Sequence, residues 1–441
     1  MSSYTLRGDC MNQDEAKPLW NGQSLDTAAR DVLARELEDA LAKILEAWFP
    51  RCVDQEHGGF LSDFDYRWRP RGPQLKMLEY QTRMLRLISR AAAHPRFESY
   101  RQYATHGFQY LRDVMWDREF GGWFRMLDHT GKPLEAGTKH GHGASYGIAA
   151  YIAYFELTSD PQALTLAQEA FQWLEKAGHD SEYGGYYALY TREGMPILSR
   201  EQCPIPNLVR DCIGTPLGFK DANTNGDMLE TMVDLYRVSP DEKVKARLLE
   251  MLHIVRDIMV VPPGAVHMYF QPNWTPVPDI ARYSYGINTS NILAKASRSP
   301  CLESDTKTRD VVKSVVDTVL QYGWDASRGG FFYGGSTFGP THLEDIIVFI
   351  DTKFWWPQAE GMRALLRMAL LYPDDERNYM QRFHQLWSYI KEYIIDARRG
   401  GWLWVGKDSR PRRWRSAKAT PWKEPSHEVH SLLECLRLLR S

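Results

Sequence analysis

Apolar positions along the chain follow a helical period in two alternating sets of segments. Between residues 26 and 48 the apolar side chains lie three or four positions apart, which is typical of a helix with one buried face. They are Val32, Leu33, Leu37, Leu41, Ile44, Leu45 and Trp48. Segments near 97–115, 160–177, 240–260, 303–321 and 374–395 are predicted to form five more outer helices of this kind.

The second set of segments is apolar over most of the helix circumference. The stretch 145–155, for example, reads SYGIAAYIAYF, and a helix that is apolar on all sides belongs at the centre of a fold. Comparable inner segments begin near Lys76 and lie near 141–157, 222–238, 286–297, 355–371 and 426–439. Six outer and six inner helices in alternation predict an all-α fold, an (α/α)6 barrel.

A Gly-Gly turn followed by an aromatic residue recurs where an outer segment ends. The five copies are 58–60, 121–123, 184–186, 329–331 and 400–402, and each has an aspartate four residues before its first glycine. These aspartates are 63, 63, 145 and 71 residues apart. The interval of 145 residues spans about two units, so a degenerate sixth copy of the turn is predicted near 264–270.

Each of these turns leads through a short strand to the start of an inner helix. The sequence therefore predicts that all six inner N-termini lie at one mouth of the barrel, together with the Gly-Gly-aromatic strands. Free N–H groups at helix N-termini suit an oxygen-rich ligand. Side chains near these starts, including Lys76, Lys139, Lys220 and Lys353, are expected to reach that pocket.

The patterns predict one barrel domain over residues 26–441, preceded by an N-terminal leader at 1–25. The leader is polar and lacks the basic and apolar regions of a signal peptide. Residues 191–219 contain four prolines and are predicted to form a long loop in the third unit. Loops of this length are usually functional or mobile, so a lid over the mouth is one interpretation.

Composition narrows the class of protein. The 441 residues are 43% apolar with a net charge of −2, which argues against a nucleic-acid-binding or membrane-binding protein, and no apolar run approaches the roughly 20 residues that span a bilayer. Six scattered cysteines without a CxxC pair favour free thiols and a cytoplasmic protein. The 15 Trp and 23 Tyr fit either a carbohydrate cleft or a core filled with aromatic rings.

Three features together identify a family resemblance. They are the phrase Trp355-Trp356-Pro357-Gln358-Ala359-Glu360, the phrase Gln81-Thr82-Arg83 and the spaced Gly-Gly-aromatic turns. From about Leu41 to Leu439 the chain resembles the N-acylglucosamine 2-epimerase superfamily, which includes cellobiose 2-epimerases and mannose and sulfoquinovose isomerases. The resemblance implies an (α/α)6 barrel that interconverts reducing sugars at C1 and C2 without a metal. Two histidines on opposite sides of the pocket would relay protons through an enediolate.

The resemblance also assigns roles to residues at the inner-helix starts. Arg83 matches an arginine that holds the carbonyl-side oxygens of the sugar, and His427 matches a histidine that acts as acid and base. The other expected substrate-binding residues are Tyr80, Tyr146, Asn223, Asn288, Trp355, Trp356 and Glu360.

Several positions depart from the family pattern. Where the family has Ser-Tyr-Gly-His-Asp-x-x-Glu, this chain has Ile287 in place of the catalytic histidine and Ser290 in place of the glutamate that polarises it. Asp227 stands where the third inner helix usually carries a histidine, and His142 stands where a tyrosine is usual. Proton transfer at C2 needs two positioned acid–base groups. His427 with Asp227 or His142 is therefore the predicted catalytic set.

The sequence leaves three functions open. The first is a sugar isomerase or epimerase in which His142 or Asp227 compensates for the lost histidine. The second is a repurposed catalyst in specialised metabolism that acts on a non-sugar molecule, with Ile287 as a wall of a drier pocket. The third is a ligand-binding pseudoenzyme without catalysis. Fold resemblance does not choose among them.

The expected partner is a small-molecule substrate, with no nucleic acid and no membrane, and the chain is expected to be a monomer or a homodimer. Neither His427-x-x-His430 nor His140-x-His142 matches a known metal-binding spacing such as HExxH. No metal site and no other cofactor is therefore predicted.

Overall fold

The computed structural model describes residues 27–277, 279–302, 305–336, 348–409 and 415–441, and within them twelve helices alternate along the chain. The predicted leader at 1–25 lies outside these residues. The outer helices are α1 (Thr27–Trp48), α3 (Arg101–Tyr110), α5 (Pro161–Gly178), α7 (Glu242–His253), α9 (Thr306–Gly323) and α11 (Tyr379–Tyr389). The inner helices are α2 (Leu78–Ala92), α4 (Gly141–Thr158), α6 (Ala222–Val238), α8 (Tyr283–Ala296), α10 (Trp355–Leu371) and α12 (Ser426–Arg440).

The inner helices form a closed ring. Each packs against the next, in the order α2, α4, α6, α8, α10 and α12, and α12 returns to α2. Helices α3, α5, α7, α9 and α11 each cover the inner helix that precedes them, while α1 covers α12. The predicted (α/α)6 barrel is confirmed.

Burial follows the two hydrophobic patterns. Inner helix α4 buries 13 of its 18 residues, whereas outer helix α5 buries 7 of 18, all from one face. Predicted and observed bounds of the inner helices agree within about three residues. Three outer helices, α3, α7 and α11, are shorter than predicted by four to seven residues at one or both ends, and π-helical turns at Leu111–Met115, Ile254–Met259 and Ile390–Ile394 continue them. The first inner helix begins at Leu78 rather than near Lys76 because Lys76 and Met77 form a strand.

Within the described residues, ten short strands lie beside the inner N-termini. They are β1 (Lys76–Met77), β2 (Met126–Leu127), β3 (Lys139–His140), β4 (Leu189–Tyr190), β5 (Lys220–Asp221), β6 (Val260–Val261), β7 (Ala265–Val266), β8 (Tyr269–Phe270), β9 (Gly334–Gly335) and β10 (Val348–Ile350). The antiparallel pairs β1–β2, β3–β4 and β5–β8 each join the start of one inner helix to the turn of the next unit. Single bridges, Ala281 to Gly335, Phe354 to Val405 and Ala419 to Phe64, make the other three junctions. Six junctions thus close a second ring at the mouth.

Each of the five Gly-Gly turns is fixed by a buried aspartate–lysine pair, here called a staple. In the first, one Asp54 oxygen accepts hydrogen bonds from the backbone N–H groups of Glu56 and His57. The other is 2.6 Å from Lys76 Nζ, which also donates to the Gly58 carbonyl. The other four staples are Asp117–Lys139, Asp180–Lys220, Asp325–Lys353 and Asp396–Lys418.

The staples overturn one expectation from the sequence. Lys76, Lys139, Lys220 and Lys353 do not reach the pocket, because each ammonium is buried between its turn aspartate and the carbonyl of the first glycine. The aspartate four residues before the glycines is the partner that each lysine requires. The lysines therefore attach each turn to the strand that begins the next inner helix.

In three of the five turns the second glycine makes room for an inner-helix side chain. At Gly59, which has φ +66°, an added Cβ would lie 2.7 Å from the Gln81 amide oxygen. That amide accepts from the Phe60 N–H and donates to the Phe60 carbonyl. Asn225 bonds Tyr186 and Gln358 bonds Phe331 in the same two-way manner. The glutamines of the family phrases thus serve the scaffold.

The degenerate sixth copy lies at the predicted position, but its turn differs from the Gly-Gly turn of the other five copies. Strands β6 and β7 pair Val260 with Val266, as Val53 pairs with Phe60 in the first copy. Pro262, Pro263 and Gly264 form the connection in place of the aspartate and the glycine pair. Before α8, Arg282 stands in the lysine region and pairs with Asp279. Among the described residues, the fourth inner helix is therefore the one without a staple.

Candidate active site

All six inner helices contribute to one cavity of about 380 Å³ at the mouth of the barrel. Its walls include Arg83 from α2, His142 and Tyr146 from α4, Asn223 and Asp227 from α6, Tyr285 and Asn288 from α8, Trp355 and Trp356 from α10, and His427 from α12. These residues lie in the first turns of their helices, as the repeat pattern predicts. The predicted mouth and the observed cavity coincide.

His427 forms a histidine–carboxylate pair with Glu360. The His427 Nδ1 atom is 2.8 Å from Glu360 Oε1, and the His427 ring lies against Trp356 with 5.4 Å between ring centroids. The second oxygen, Oε2, accepts from Arg363 and from the Asn291 amide. Burial opposes charge on Glu360, but Arg363 and His427 outweigh it and lower the pKa of this carboxyl. Glu360 is thus held as a carboxylate that fixes the imidazole through Nδ1.

His142 and Asp227 form a second pair on neighbouring inner helices. His142 Nε2 is 2.9 Å from Asp227 Oδ2, and both side chains are almost fully buried at the cavity wall. The His142 ring lies edge-on to Tyr146 at 5.1 Å. Glu79 Oε1 lies 4.0 Å from His142 Nδ1. These contacts place a second ionisable pair at the cavity wall, in addition to His427 and Glu360.

Arg83 supplies positive charge between the two pairs. Its guanidinium donates to the Tyr146 hydroxyl at 3.1 Å, lies over the Tyr146 ring and is 3.6 Å from Glu424. Burial opposes the charge on Arg83, but Tyr146, Glu424 and Asp227 raise the pKa of the guanidinium further. Arg83 is therefore a permanent cation in the cavity wall, able to stabilise negative charge on a bound ligand.

Aromatic rings make up half of the cavity wall. They are Tyr146, Tyr285, Tyr333, Phe354, Trp355, Trp356, Trp404 and Trp422. Tyr333 and Trp404 escaped prediction, although each stands two residues after the aromatic of a Gly-Gly turn. The turn aromatics Phe331 and Trp402 are buried in the core, whereas Tyr333 and Trp404 line the cavity. Residues two apart on a regular strand share one face, so strand alternation does not predict this difference and the sequence pattern has no signal for these two wall residues.

Three residues singled out from the sequence are not part of the cavity wall. Glu360, expected from the sequence to bind substrate, is almost fully buried and its carboxylate contacts His427 Nδ1 instead. Tyr80 is fully buried and donates its hydroxyl to the Leu61 carbonyl at 2.8 Å, so its polar group is used in the scaffold. Ile287 is also fully buried and is not part of the cavity wall, so the expectation that it forms a dry wall of the pocket is wrong. Its neighbours on α8, Tyr285 and Asn288, face the cavity instead.

The long loop 191–219 reaches the cavity. Cys212 and Ile213 lie in its wall, and neither position has a signal in the repeat pattern. Behind them, His140 lies between Glu79 and Asp211, with ring nitrogens 3.1 and 3.2 Å from the two carboxylates. Glu79, His140 and Cys212 together offer ligand atoms within 4.8 Å of one another, close enough for one metal ion.

The five cysteines of the described residues are free thiols. Within the same residues, no helix combines the length and the apolar character needed to cross a membrane.

Known proteins match this chain over most of its length. A family model described as N-acylglucosamine 2-epimerase matches residues 211–410. A cellobiose 2-epimerase of Bacteroides fragilis is 26% identical over 417 residues, which cover 92% of this chain and 99% of that protein. A D-mannose isomerase of Marinomonas mediterranea is 23% identical over 419 residues, which cover 91% and 97%.

The solved structure of cellobiose 2-epimerase from Bacillus thermoamylovorans has the same fold. It superposes with a TM-score of 0.80 at 24% identity, over 92% of this chain and 99% of that one. The resemblance that the motifs predict is confirmed, and the relatives are sugar epimerases and isomerases.

Proposed function

We propose that this chain, a relative of the N-acylglucosamine 2-epimerase superfamily, moves the C2 proton of a reducing sugar with two histidine–carboxylate pairs. The observation that carries the proposal is that His427–Glu360 and His142–Asp227 both face one cavity beside Arg83. Such groups are each worth about 10²- to 10⁴-fold in rate when correctly placed.

The reaction begins with the open-chain aldose. One pair removes the C2 proton, and the electrons of the C2–H bond form the C1=C2 bond of an enediolate. The negative charge then rests on O1, which Arg83 is positioned to stabilise. Return of a proton to the other face of C2 gives the epimer. Transfer of the O2 proton to O1, together with protonation of C1, gives the ketose.

The order of the helices supports two separate proton-transfer groups. His427 on α12, Arg83 on α2 and His142 on α4 come from three consecutive members of the inner ring. A sugar carbonyl oxygen bound by Arg83 thus lies between them. In this arrangement the His142–Asp227 pair serves as the second acid–base group, a role that the side chains of Ile287 and Ser290 cannot fill.

The cavity wall favours a carbohydrate. Eight aromatic rings offer apolar faces for sugar C–H groups, while Asn223 and Asn288 offer donors and acceptors for hydroxyls.

Exchange of the C2 proton with solvent tests the proposal. Mannose and cellobiose incubated with the protein in D₂O should lose their C2–H signal in the ¹H NMR spectrum. His427→Asn should reduce the exchange rate by about 10²-fold or more, and Glu360→Gln should reduce it less because the imidazole remains. His253→Asn, on the exposed face of α7, is the control. Absence of exchange into either sugar with the unaltered protein would contradict the proposal.

A second candidate is the same proton transfer next to the carbonyl of a non-sugar substrate. Half of the residues in the cavity wall are aromatic. At the two α8 positions where the family carries a histidine and a glutamate, this chain has Ile287 and Ser290, which are not ionisable. This candidate predicts exchange at the α-carbon of an aryl ketone that is lost in Asp227→Asn, with none in the two sugars.

A further inference from the structure

We propose that Glu79, His140 and Cys212 form a binding site for a divalent transition-metal ion, with zinc as the best match. The three residues come from α2, β3 and the loop 191–219, and their ligand atoms lie within 4.8 Å of one another. None of the three residues belongs to the two histidine–carboxylate pairs, although Glu79 Oε1 lies 4.0 Å from His142 Nδ1. The inference does not rest on the proposed function.

The distances suit one ion. His140 Nδ1 is 3.1 Å from Glu79 Oε1, and Cys212 Sγ is 4.0 Å from the same oxygen. Zinc binds nitrogen and oxygen at about 2.0–2.2 Å and sulfur at about 2.3 Å in a tetrahedron, so its ligand atoms lie roughly 3.3–3.8 Å apart. The first measured separation lies slightly below this range and the second slightly above it.

Two buried polar atoms at this place have no hydrogen bond to any described residue. They are His140 Nδ1 and Glu79 Oε2, and both side chains are fully buried. The short separation of His140 Nδ1 from Glu79 therefore lacks hydrogen-bonding geometry. Leaving such atoms unsatisfied is unfavourable, and coordination to a metal ion would satisfy both.

Asp211 orients the proposed histidine ligand. Its Oδ2 atom is 3.2 Å from His140 Nε2, so this nitrogen carries a proton towards the carboxylate and Nδ1 is directed to Glu79. A carboxylate on the distal nitrogen is the usual support of a metal-bound histidine. Arg125, a nearby cation, is already paired with Glu135.

The donor set selects the ion. Thiolate and imidazole ligands favour zinc over magnesium or calcium, which prefer oxygen. Binding requires that Cys212 and His140 release their protons to solvent. Three protein ligands leave one position of the tetrahedron open, and Cys212 lines the cavity. The ion would also tie the loop 191–219 to the barrel wall.

Cobalt substitution tests the site without reference to activity. Untagged full-length protein, stripped with a chelator and titrated with Co²⁺, should bind one equivalent and develop a thiolate-to-cobalt charge-transfer band in the near ultraviolet. Zn²⁺ should abolish the band by displacement. Cys212→Ser should remove the band, whereas Cys203→Ser should retain it. Cys203 is the matched control because it is a buried thiol of the same loop.

Further variants separate a built site from incidental binding. Asp211→Asn should weaken Co²⁺ binding roughly 10- to 100-fold with the band retained, as expected of a positioning residue. Glu79→Gln should weaken it more, and circular dichroism checks that each variant folds. A titration without a charge-transfer band, or Co²⁺ binding that Cys212→Ser leaves unchanged, would overturn the proposal; the second result would indicate a surface-bound ion only.

Discussion

At the scale of single residues, the substitutions on α8 explain how the cavity differs from the family pattern. Ile287 packs in the core, and Ser290 donates its hydroxyl to the Ile287 carbonyl. Neither side chain offers an acid or a base to the cavity. The second ionisable pair of the cavity comes instead from α4 and α6, as His142 with Asp227.

Ile287→His should therefore fail to restore a catalytic base. The imidazole would enter a fully buried position without a polar partner, and burying such a group costs about 1–3 kcal/mol. We expect a lower midpoint in urea unfolding and no gain in C2 exchange. Asn288→His, one residue along and facing the cavity, is the control for stability and should cost less. A rise in exchange rate in Ile287→His would show that position 287 reaches the substrate.

At the scale of the structural element, the Gly-Gly turn acts as a joint between an outer helix, a strand and the next inner helix. Its aspartate is held by backbone N–H groups on one oxygen and by the staple lysine on the other. Burial lowers the pKa of the Lys76 ammonium. Burial opposes ionisation of Asp54, but hydrogen bonds from Lys76 and from the backbone outweigh it and lower the pKa of this carboxyl. The element therefore depends on both charges being present.

Lys76→Met should destabilise the protein by about 3–5 kcal/mol, because it leaves the Asp54 carboxylate buried without its cation. The double variant Asp54→Asn, Lys76→Met should lose less than the sum of the two single changes. Urea unfolding measures the free energies of unfolding. Lys132→Met, at an exposed position, is the control and should change stability by at most about 0.5 kcal/mol. Strict additivity would indicate that the two side chains do not interact.

At the scale of the whole molecule, five staples repeat around the barrel and make its stability depend on acid pH. All five staple aspartates have a lowered pKa, and that of Asp325 falls to about 2 because Lys353 and Ser327 outweigh burial. The unfolded value is about 3.9. The staple contribution is therefore complete above that value and is lost as the pH falls towards the folded pKa.

The staples should contribute a constant amount to the free energy of unfolding between pH 7 and 5. Below pH 4 we expect the free energy of unfolding to decline steeply as that contribution is lost. Guanidinium unfolding monitored by circular dichroism between pH 7 and 3 measures this. The double variant Asp54→Asn, Lys76→Met should show a shallower decline because it has lost one titrating staple. An unchanged slope in that variant would argue against the assignment.

Sequence alone determined the twelve helices, their alternation and the position of the mouth, because these follow from local periods and from a turn repeated at nearly constant spacing. It also singled out the candidate site residues His427, Asp227, His142 and Arg83, all of which line the cavity.

Only the tertiary structure decided which side chains meet. Glu360 and His427 are 67 positions apart, and Arg83 and Tyr146 are 63 positions apart. Pairing at such distances depends on ring closure and on how each helix is rotated, and no local pattern records either. For the same reason the sequence placed four of the five staple lysines and Tyr80 in the pocket and missed Cys212, whose neighbours Glu79 and His140 come from other units of the barrel.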